Sequence, residues 1–491
     1  MTNTNKYYSY IYLLIGFIFL FFFNGRWILP IASFIAPLFL IRFLRFQKPF
    51  IGFLILILIG WISNIFIWKG MNPMSGFFYY FIMFMMSVFT SLIFLLDKLY
   101  AQKIKGILST LVFPSAYVIM EFIVVSTNPS GSYGTLAHTQ NSLPLLQMLS
   151  ITGIWGVVFI VLWTSSVTNW LWDYSFEKSK INLAFLTYGI PLILLMLFGQ
   201  LRLFFNSGNQ TVRIASVNIS KSDLENRINA YSDSLIDISN NNFLSNCEIA
   251  ANSGAKIIFG IETMINLKED KEDVFVEKAI AVAKRNNIYL GLPMAVILKG
   301  FPQVRPENKI IWISPQGEIL YEYHKGKPTP GEGNYGDGIL KYFDTPYGRI
   351  SSVICFDMDF PSFIRQVEDM NIDIMLVPGN DWKEISPYHT YVASARAIEE
   401  GFNMVRAASR GLSASFDYKG KLLSHQDFYS TNDVILYSDV PMKGTKTIYS
   451  RFGDYFAWMC ILIFLSTSYM VLKKRLNRNS RWGKRNPSRK D

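Results

Sequence analysis

Apolar runs long enough to cross a bilayer recur eight times along this chain, and they leave one long interval, residues 210–445, in which no such run occurs. A spanning helix needs about 20 predominantly apolar residues. The runs cover residues 8–24, 27–44, 50–68, 76–96, 107–126, 150–172, 183–205 and 453–472. They divide the chain into a membrane domain of seven helices (1–209), a soluble domain (210–445), and an eighth helix with a tail (446–491). The first run has no clear cleavage site and continues into further spans, so it reads as a retained helix. With 51% hydrophobic and 17% charged residues, the composition argues against an ordinary soluble chain.

Charge in the connecting loops sets an orientation. With the N-terminus inside, the inner loops hold Arg42, Arg45 and Lys48, then Lys98, Lys103 and Lys105, then Lys178 and Lys180. The short outer loops hold only Arg26 and Lys69. That asymmetry follows the positive-inside rule and puts residues 210–445 on the non-cytoplasmic face. The eighth span returns the tail to the cytoplasm. From Lys473 to Asp491 the tail carries nine basic residues and one acid, +8 of the formal +11. Directly after an apolar span, it reads as a membrane-flanking segment near anionic headgroups, and no nucleic-acid partner is expected. The outer segment 127–149 is Gly/Ser-rich with apolar residues interspersed, which suits either a surface loop or one that dips into the interface.

Within 210–445 the pattern changes to short apolar runs bounded by turn residues. They are VRIASVNIS (212–220), AKIIFGIE (255–262), IYLGLPMAV (288–296), IIWISP (310–315), GRISSVICFD (348–357), IDIMLVPGND (372–381), NMVRAAS (403–409) and GLSASFD (411–417). Helical periodicity lies between several of them, over 223–253, 270–287, 361–371 and 388–401. SPQGEIL (314–320) and DYKGKLL (417–423) read as hairpin turns. Alternating buried strands and helices predict a layered α/β domain.

Three residues at the ends of predicted strands could carry chemistry, since α/β sheets gather ligands there. Glu262 ends AKIIFGIE, where desolvation suits a general base; a helix N-terminal or ion-paired Glu is the plainer alternative. Lys325 lies in YEYHKGKPTPGEG (321–333) and could steady an oxyanion; Lys327 competes for that role, and Glu332 could orient a lysine. Cys355 follows a strand and precedes a predicted helix start at Pro361, a turn that lifts a side chain into a cleft; a buried inert thiol is the alternative. Of the four histidines (His138, His324, His389 and His425), His389 is the best placed to activate a thiol. Cys247, Cys355 and Cys460 form neither a disulfide framework nor a zinc-like spacing. Glu121 is an acid inside a span, hence a functional candidate or a residue that snorkels. Trp382 is an interfacial anchor or lines an apolar pocket.

Taken together, these segments resemble the nitrilase, or carbon–nitrogen hydrolase, superfamily, whose α-β-β-α sandwich carries a Glu–Lys–Cys triad. Eight spans with such a domain between the seventh and eighth resemble the bacterial apolipoprotein N-acyltransferase family. FPSAYVIMEF (113–122), GSYGTLAHTQNSLPLLQMLSITGIWGVVFIV (131–161) and PGNDWKEISPYHTYVASARAIEEGFNMVRAASRGLSASFD (378–417) carry that closer likeness. The chain departs from the family pattern around the triad. Ile261 replaces a Pro, and Pro330-Gly331-Glu332 lacks a Phe. Phe356-Asp357 replaces Tyr-Glu, Ala408-Ser409-Arg410 replaces a Thr-Asn segment, and the loop after Trp382 is short.

The resemblance implies a catalytic Glu262, Lys325 and Cys355, with Glu332, Phe356, Asp357, Trp382 and Glu121 supporting them. It implies transfer of a fatty acyl chain from a phospholipid, through a cysteine thioester, to the N-terminal amine of a diacylated lipoprotein at a bacterial cell membrane. No metal or organic cofactor is needed. The departures motivate two other readings: a membrane-tethered amidase-like hydrolase with water as acceptor, and an inactive lipoprotein-binding relative.

Overall fold

A computed structural model describes residues 3–205, 210–229, 233–329 and 331–485. Pro330 and the end of the basic tail from Asn486 lie outside the described residues. The chain forms two compact units: a helical unit of 1–128, 134–200 and 454–491, and a sheet unit of 129–133 and 201–453.

Among the described residues six helices are long and apolar enough to cross a membrane: Pro49–Ile67, Gly76–Lys103, Ile107–Thr127, Ile154–Asp173, Lys178–Phe204 and Tyr455–Lys473. The first two of the eight expected runs form shorter helices. The apolar part of the first is Tyr7–Leu20, and the second is Ala32–Phe46. Fifteen residues rise about 22 Å, against a hydrocarbon core of about 30 Å. The second helix also carries charge: Arg42 and Arg45 both pair with Asp173, Arg42 at 2.5 Å. Lys98 donates to the Arg45 carbonyl at 2.5 Å. The basic loops after Phe46, Tyr100 and Asp173 therefore share one end of this bundle. Ile154–Asp173 runs through its interior, with Trp155, Val157 and Val158 buried.

The sheet unit contains thirteen strands among the described residues. The first sheet holds β1 (Thr211–Val217), β2 (Ile257–Gly260), β3 (Ile265–Lys268), β4 (Tyr289–Ile297), β5 (Glu307–Ile313), β6 (Ile319–His324) and β13 (Ile435–Pro441). Its order is β13-β1-β2-β4-β5-β6, with β3 beside β4. The second sheet holds β7 (Tyr342–Thr345), β8 (Gly348–Ser352), β9 (Ile374–Asn380), β10 (Asn403–Ser409), β11 (Leu412–Phe416) and β12 (Leu422–Asp427), in the order β12-β11-β10-β9-β8-β7. Each sheet has parallel strands at its centre (β1, β2, β3 and β4; β8, β9 and β10) and antiparallel strands outside. The central runs are Ile/Val/Leu-rich, as strands covered on both faces require.

One continuous core joins the two sheets, including Ile214, Phe259, Trp312, Ile350, Val377 and Met404. Each such side chain gains about 1.5–3 kcal/mol on burial, which drives the sheets together. Trp312 Nε1 crosses between them to Ser352 Oγ at 2.8 Å. Gly291 on β4 leaves room for that indole, since a Cβ there would lie 2.8 Å from the ring. Helices Asp233–Asn252 and Glu272–Asn286 cover the first sheet and Tyr388–Glu400 the second, giving four layers. Glu272–Asn286 has acids in its first turn, bases in its last and left-handed Asn287 as its stop.

Every strand expected from the apolar runs is present. The short edge strands β3 and β7 and the outer strand β13 are additions. The expected helix 223–253 is helical over Lys221–Asn229 and Asp233–Asn252, the residues between lying outside the described ones. The expected helix 361–371 is two single turns, Pro361–Ile364 and Val367–Met370. In the 127–149 segment, Pro129–Tyr133 belongs to the sheet unit, and short turns follow at Leu136–Thr139 and Leu143–Leu146.

Candidate active site

Glu262 follows β2, whose four residues are all buried, and is itself 4% exposed. A carboxylate in such a place must be paired. Its Oε1 accepts hydrogen bonds from Lys325 Nζ (2.8 Å) and from Asn308 Nδ2 on β5 (2.8 Å). The next residue, Thr263, has φ +52°, so the chain turns sharply after the acid.

Lys325 follows β6, and its backbone N–H donates to the Asn308 carbonyl at 2.9 Å. Its ammonium is 3% exposed and lies between two carboxylates, Glu262 at 2.8 Å and Glu332 at 2.9 Å. Glu332 Oε2 also accepts the Thr329 amide at 2.6 Å, which folds the Pro/Gly loop back onto the lysine. Burial opposes the ammonium, but Glu262, the Cys355 sulfur and Glu332 outweigh it and raise its pKa. Burial likewise opposes the Glu332 carboxylate, and Lys325 outweighs it, so that pKa is lowered. The competing Lys327 points elsewhere, over the rings of Phe360 (5.2 Å) and Phe363 (5.4 Å).

Cys355 stands where β8 has ended and a 3₁₀ turn, Cys355–Asp359, begins. Its φ is +46°, a left-handed conformation costing a non-glycine residue about 1–2 kcal/mol. Asp357 holds this turn. It is fully buried and accepts from the Ile354 amide (2.8 Å), the Tyr323 hydroxyl (2.7 Å) and the Lys327 amide (2.6 Å). It thereby ties the cysteine turn to the lysine loop. Burial lifts its carboxyl to about 6 against the opposing pull of those donors. Phe356 is half-buried and edge-on to Phe360. Trp382 is half-buried, and its carbonyl accepts the Ile385 amide. Burial pushes the Cys355 thiol well up and the Glu262 charge adds to this; Arg406 and Lys325 oppose it. Glu262, Lys325 and Cys355 thus meet in one cluster within electrostatic reach of each other.

A second buried network, foreseen only in His389, lies on the other side of the sulfur. Arg406, in the middle of β10, is fully buried. Its Nη2 approaches Cys355 Sγ at 3.7 Å and donates to Asp381 Oδ1 at 2.8 Å. His389 Nδ1 meets the same Asp381 oxygen at 2.8 Å, and Nε2 meets Asp359 Oδ2 at 3.1 Å. Burial opposes the imidazolium, but Asp359 and Asp381 raise His389 to about 9. Burial also opposes the Asp381 carboxylate, yet Arg406 and His389 bring it down to about 2. Each ring nitrogen of His389 thus meets a carboxylate, which makes the imidazole a strut between Asp359 and Asp381, and its Nδ1 also lies 3.0 Å from Arg406 Nη2. The sequence signal for Arg406 was an arginine inside the otherwise apolar NMVRAAS: a charge in a buried strand needs a partner. Tyr133, in the segment 129–133, packs edge-on against His389 at 5.9 Å.

Cys355, Asp381 and His389 present ligand atoms within 4.8 Å of one another. A cation there would have to displace the Arg406 guanidinium and free a nitrogen of a charged imidazole, so the donor set suits a metal poorly. Beside Glu262 a cavity of about 160 Å³ opens, lined among others by Ile219, Thr263, Asn380 and Arg410. Glu121 belongs to the helical unit, where it is buried and accepts the Leu136 amide at 2.9 Å.

Two family profiles match the chain: the apolipoprotein N-acyltransferase N-terminal domain over residues 13–167, and carbon–nitrogen hydrolase over 228–449. Apolipoprotein N-acyltransferase of Rickettsia prowazekii (strain Madrid E) is 26% identical over 355 residues, covering 67% of this chain and 69% of that protein. The protein of the same name from Geobacter metallireducens is 21% identical over 388 residues, covering 73% of each. Among solved structures, an amidase from Nesterenkonia sp. aligns at 16% identity with a TM-score of 0.41, covering 51% of this chain and 98% of the amidase. The N-terminal-domain match and the hydrolase match lie in one chain, and the chain belongs to the apolipoprotein N-acyltransferase family.

Proposed function

We propose that this protein transfers a fatty acyl chain from a phospholipid to the N-terminal α-amine of a diacylglyceryl-cysteine lipoprotein, with Cys355 as nucleophile, Glu262 as general base and Lys325 as oxyanion stabiliser. The observation that carries the reading is the buried Glu262–Lys325 contact of 2.8 Å beside a strained Cys355. Glu262 takes the thiol proton as Sγ bonds to the ester carbonyl carbon. The Lys325 ammonium and backbone N–H groups after Cys355 steady the oxyanion. The C–O bond breaks, and the lysophospholipid alkoxide takes the proton from Glu262. The lipoprotein amine then attacks the thioester. Its proton passes through Glu262 to the departing thiolate as the C–S bond breaks, which restores the resting thiol.

A thiol held protonated until substrate arrives suits this order, because an uncharged nucleophile does not repel an anionic lipid. Glu332 and Asp357 are the supporting residues, one fixing the lysine and one the cysteine turn. Phe356 and Trp382 line the acyl path, and Glu121 serves within the helical unit. All eight apolar helices cross the membrane, the two short ones included. The basic loops and tail face the cytoplasm, which leaves the sheet unit on the outer side.

Purified protein incubated with phospholipid and a synthetic diacylated lipopeptide tests the reading. Acyl amide on the lipopeptide amine is expected. Release of free fatty acid without amide would instead mark a hydrolase, and no turnover an inactive relative.

A further inference from the structure

In the mechanism above, Lys325 is the cation assigned to the reaction, yet its ammonium is already held by two carboxylates. The hydrogen bond described at the sulfur itself comes from a different cation, Arg406, at 3.7 Å. Nothing in the family pattern quoted above gives this residue a chemical role. Its placement is costly and specific. An arginine with no exposed surface sits mid-strand, its Nη2 shared among Cys355 Sγ (3.7 Å), Asp381 Oδ1 (2.8 Å) and His389 Nδ1 (3.0 Å). A buried charge of this kind persists only where partners fix it. Asp381 is fixed in turn by His389, and His389 by Asp359, so a chain of four charged side chains ends on the nucleophile.

From this geometry we infer that Arg406 is a further catalytic residue, whose guanidinium donates to Cys355 Sγ as the thiolate forms and as it departs. Asp381, His389 and Asp359 are positioning residues that hold the guanidinium at the sulfur. The step adds no atoms to the balance already given. The proton still passes from sulfur to Glu262, and Arg406 keeps all of its own while its hydrogen bond to the sulfur strengthens with the growing negative charge. Lys325 is then free to act on the carbonyl oxygen, so the two cations divide the two sites of negative charge between them. The ionisable groups about the sulfur are Glu262 after β2, Lys325 after β6, Asp381 after β9, His389 on its helix and Arg406 on β10, with Asp359 of the 3₁₀ turn behind His389. Burial and Glu262 raise the thiol's pKa, and Arg406 is the first of the groups that oppose them.

The inference rests on Cys355 carrying the acyl group, so the test separates the two claims. Full-length protein in detergent is alkylated with iodoacetamide across the neutral and alkaline range, and the rate at Cys355 is followed by peptide mass. Arg406→Gln is expected to move the midpoint up by about one unit or more, roughly a tenfold slower alkylation at fixed pH below it. Its kcat for acyl transfer should fall with KM little changed. Asp381→Asn, which leaves the guanidinium without its anchor, should lower kcat with KM little changed. If Arg406→Gln does not fold by thermal melting, Arg406→Lys decides, since its shorter amine cannot reach both Asp381 and the sulfur: a raised midpoint supports the role and an unmoved one overturns it. A profile in Arg406→Gln that superposes on wild type, whatever the loss of transfer, makes the arginine a packing residue. If wild-type Cys355 takes no acyl group from phosphatidylethanolamine vesicles, the proposed function falls and the catalytic role falls with it.

Discussion

Lys325 Nζ lies 2.8 Å from Glu262 Oε1 and 2.9 Å from Glu332 Oε2, a buried cation between two acids. Such a trio is stable only while complete, because losing one member strands charge in a low-dielectric interior.

Lys325→Met is therefore expected to cost about 3–5 kcal/mol of stability and to abolish transfer. Thermal melting alongside an acyl-transfer assay checks both. A well-folded, active Lys325→Met protein would remove the lysine from the mechanism.

Glu332→Gln keeps the shape of the loop but removes one of the two charges on Lys325. A hydrogen bond to a charged group is worth about 1.5–3 kcal/mol, so kcat should fall roughly 10- to 100-fold. Steady-state kinetics with a lipopeptide acceptor measures this, and a change confined to KM would argue for substrate contact instead.

Asp357 accepts three hydrogen bonds at once, from Ile354, Tyr323 and Lys327. Asp357→Asn turns an amide NH₂ towards at least one of those donors. The expected loss is about 1–3 kcal/mol of stability, with slower chemistry as the Cys355 turn loosens. Chemical denaturation and single-turnover acylation would show the two effects together.

His389 links pH to stability with a definite sign. Its pKa is raised from 6.5 to about 9 in the folded chain, so its contribution is complete below about 6.5 and is lost as pH rises through about 9. The amount is on the order of 3 kcal/mol. Denaturation midpoints measured across that window should fall with rising pH, and His389→Gln should flatten the slope. Asp381 works in the opposite sense: its pKa is lowered from 3.8 to about 2, so its contribution is present above about 3.8 and is lost as pH falls through about 2.

The layered sheet unit was legible in the sequence because its central strands are continuous apolar runs such as IIFG and IMLV, which a buried parallel strand demands. Edge strands β3 and β7 were not, since INLK and YFDT are half-exposed and take their pairing from a neighbour. The second helix is shorter than its apolar run because Gly25–Trp27 form a 3₁₀ turn and the helix starts only at Ala32; it continues past Arg42 and Arg45, which read as loop charges, because Asp173, 128 or more residues away, pairs with both. Glu262, Lys325 and Cys355 could be named from strand ends. Arg406, Asp381 and Asn308 could not be assigned, because their meaning lies in partners that only the folded sheets bring together. The choice between Lys325 and Lys327 likewise rests on which side chain turns inward.

The most direct test of the account is the intact mass of the protein after incubation with phospholipid. The account predicts one added fatty acyl group, mapped to Cys355, discharged by a diacylated lipopeptide and absent from Cys355→Ala. An acyl group on another residue, one that persists in Cys355→Ala, or none at all in protein that otherwise turns over would contradict it.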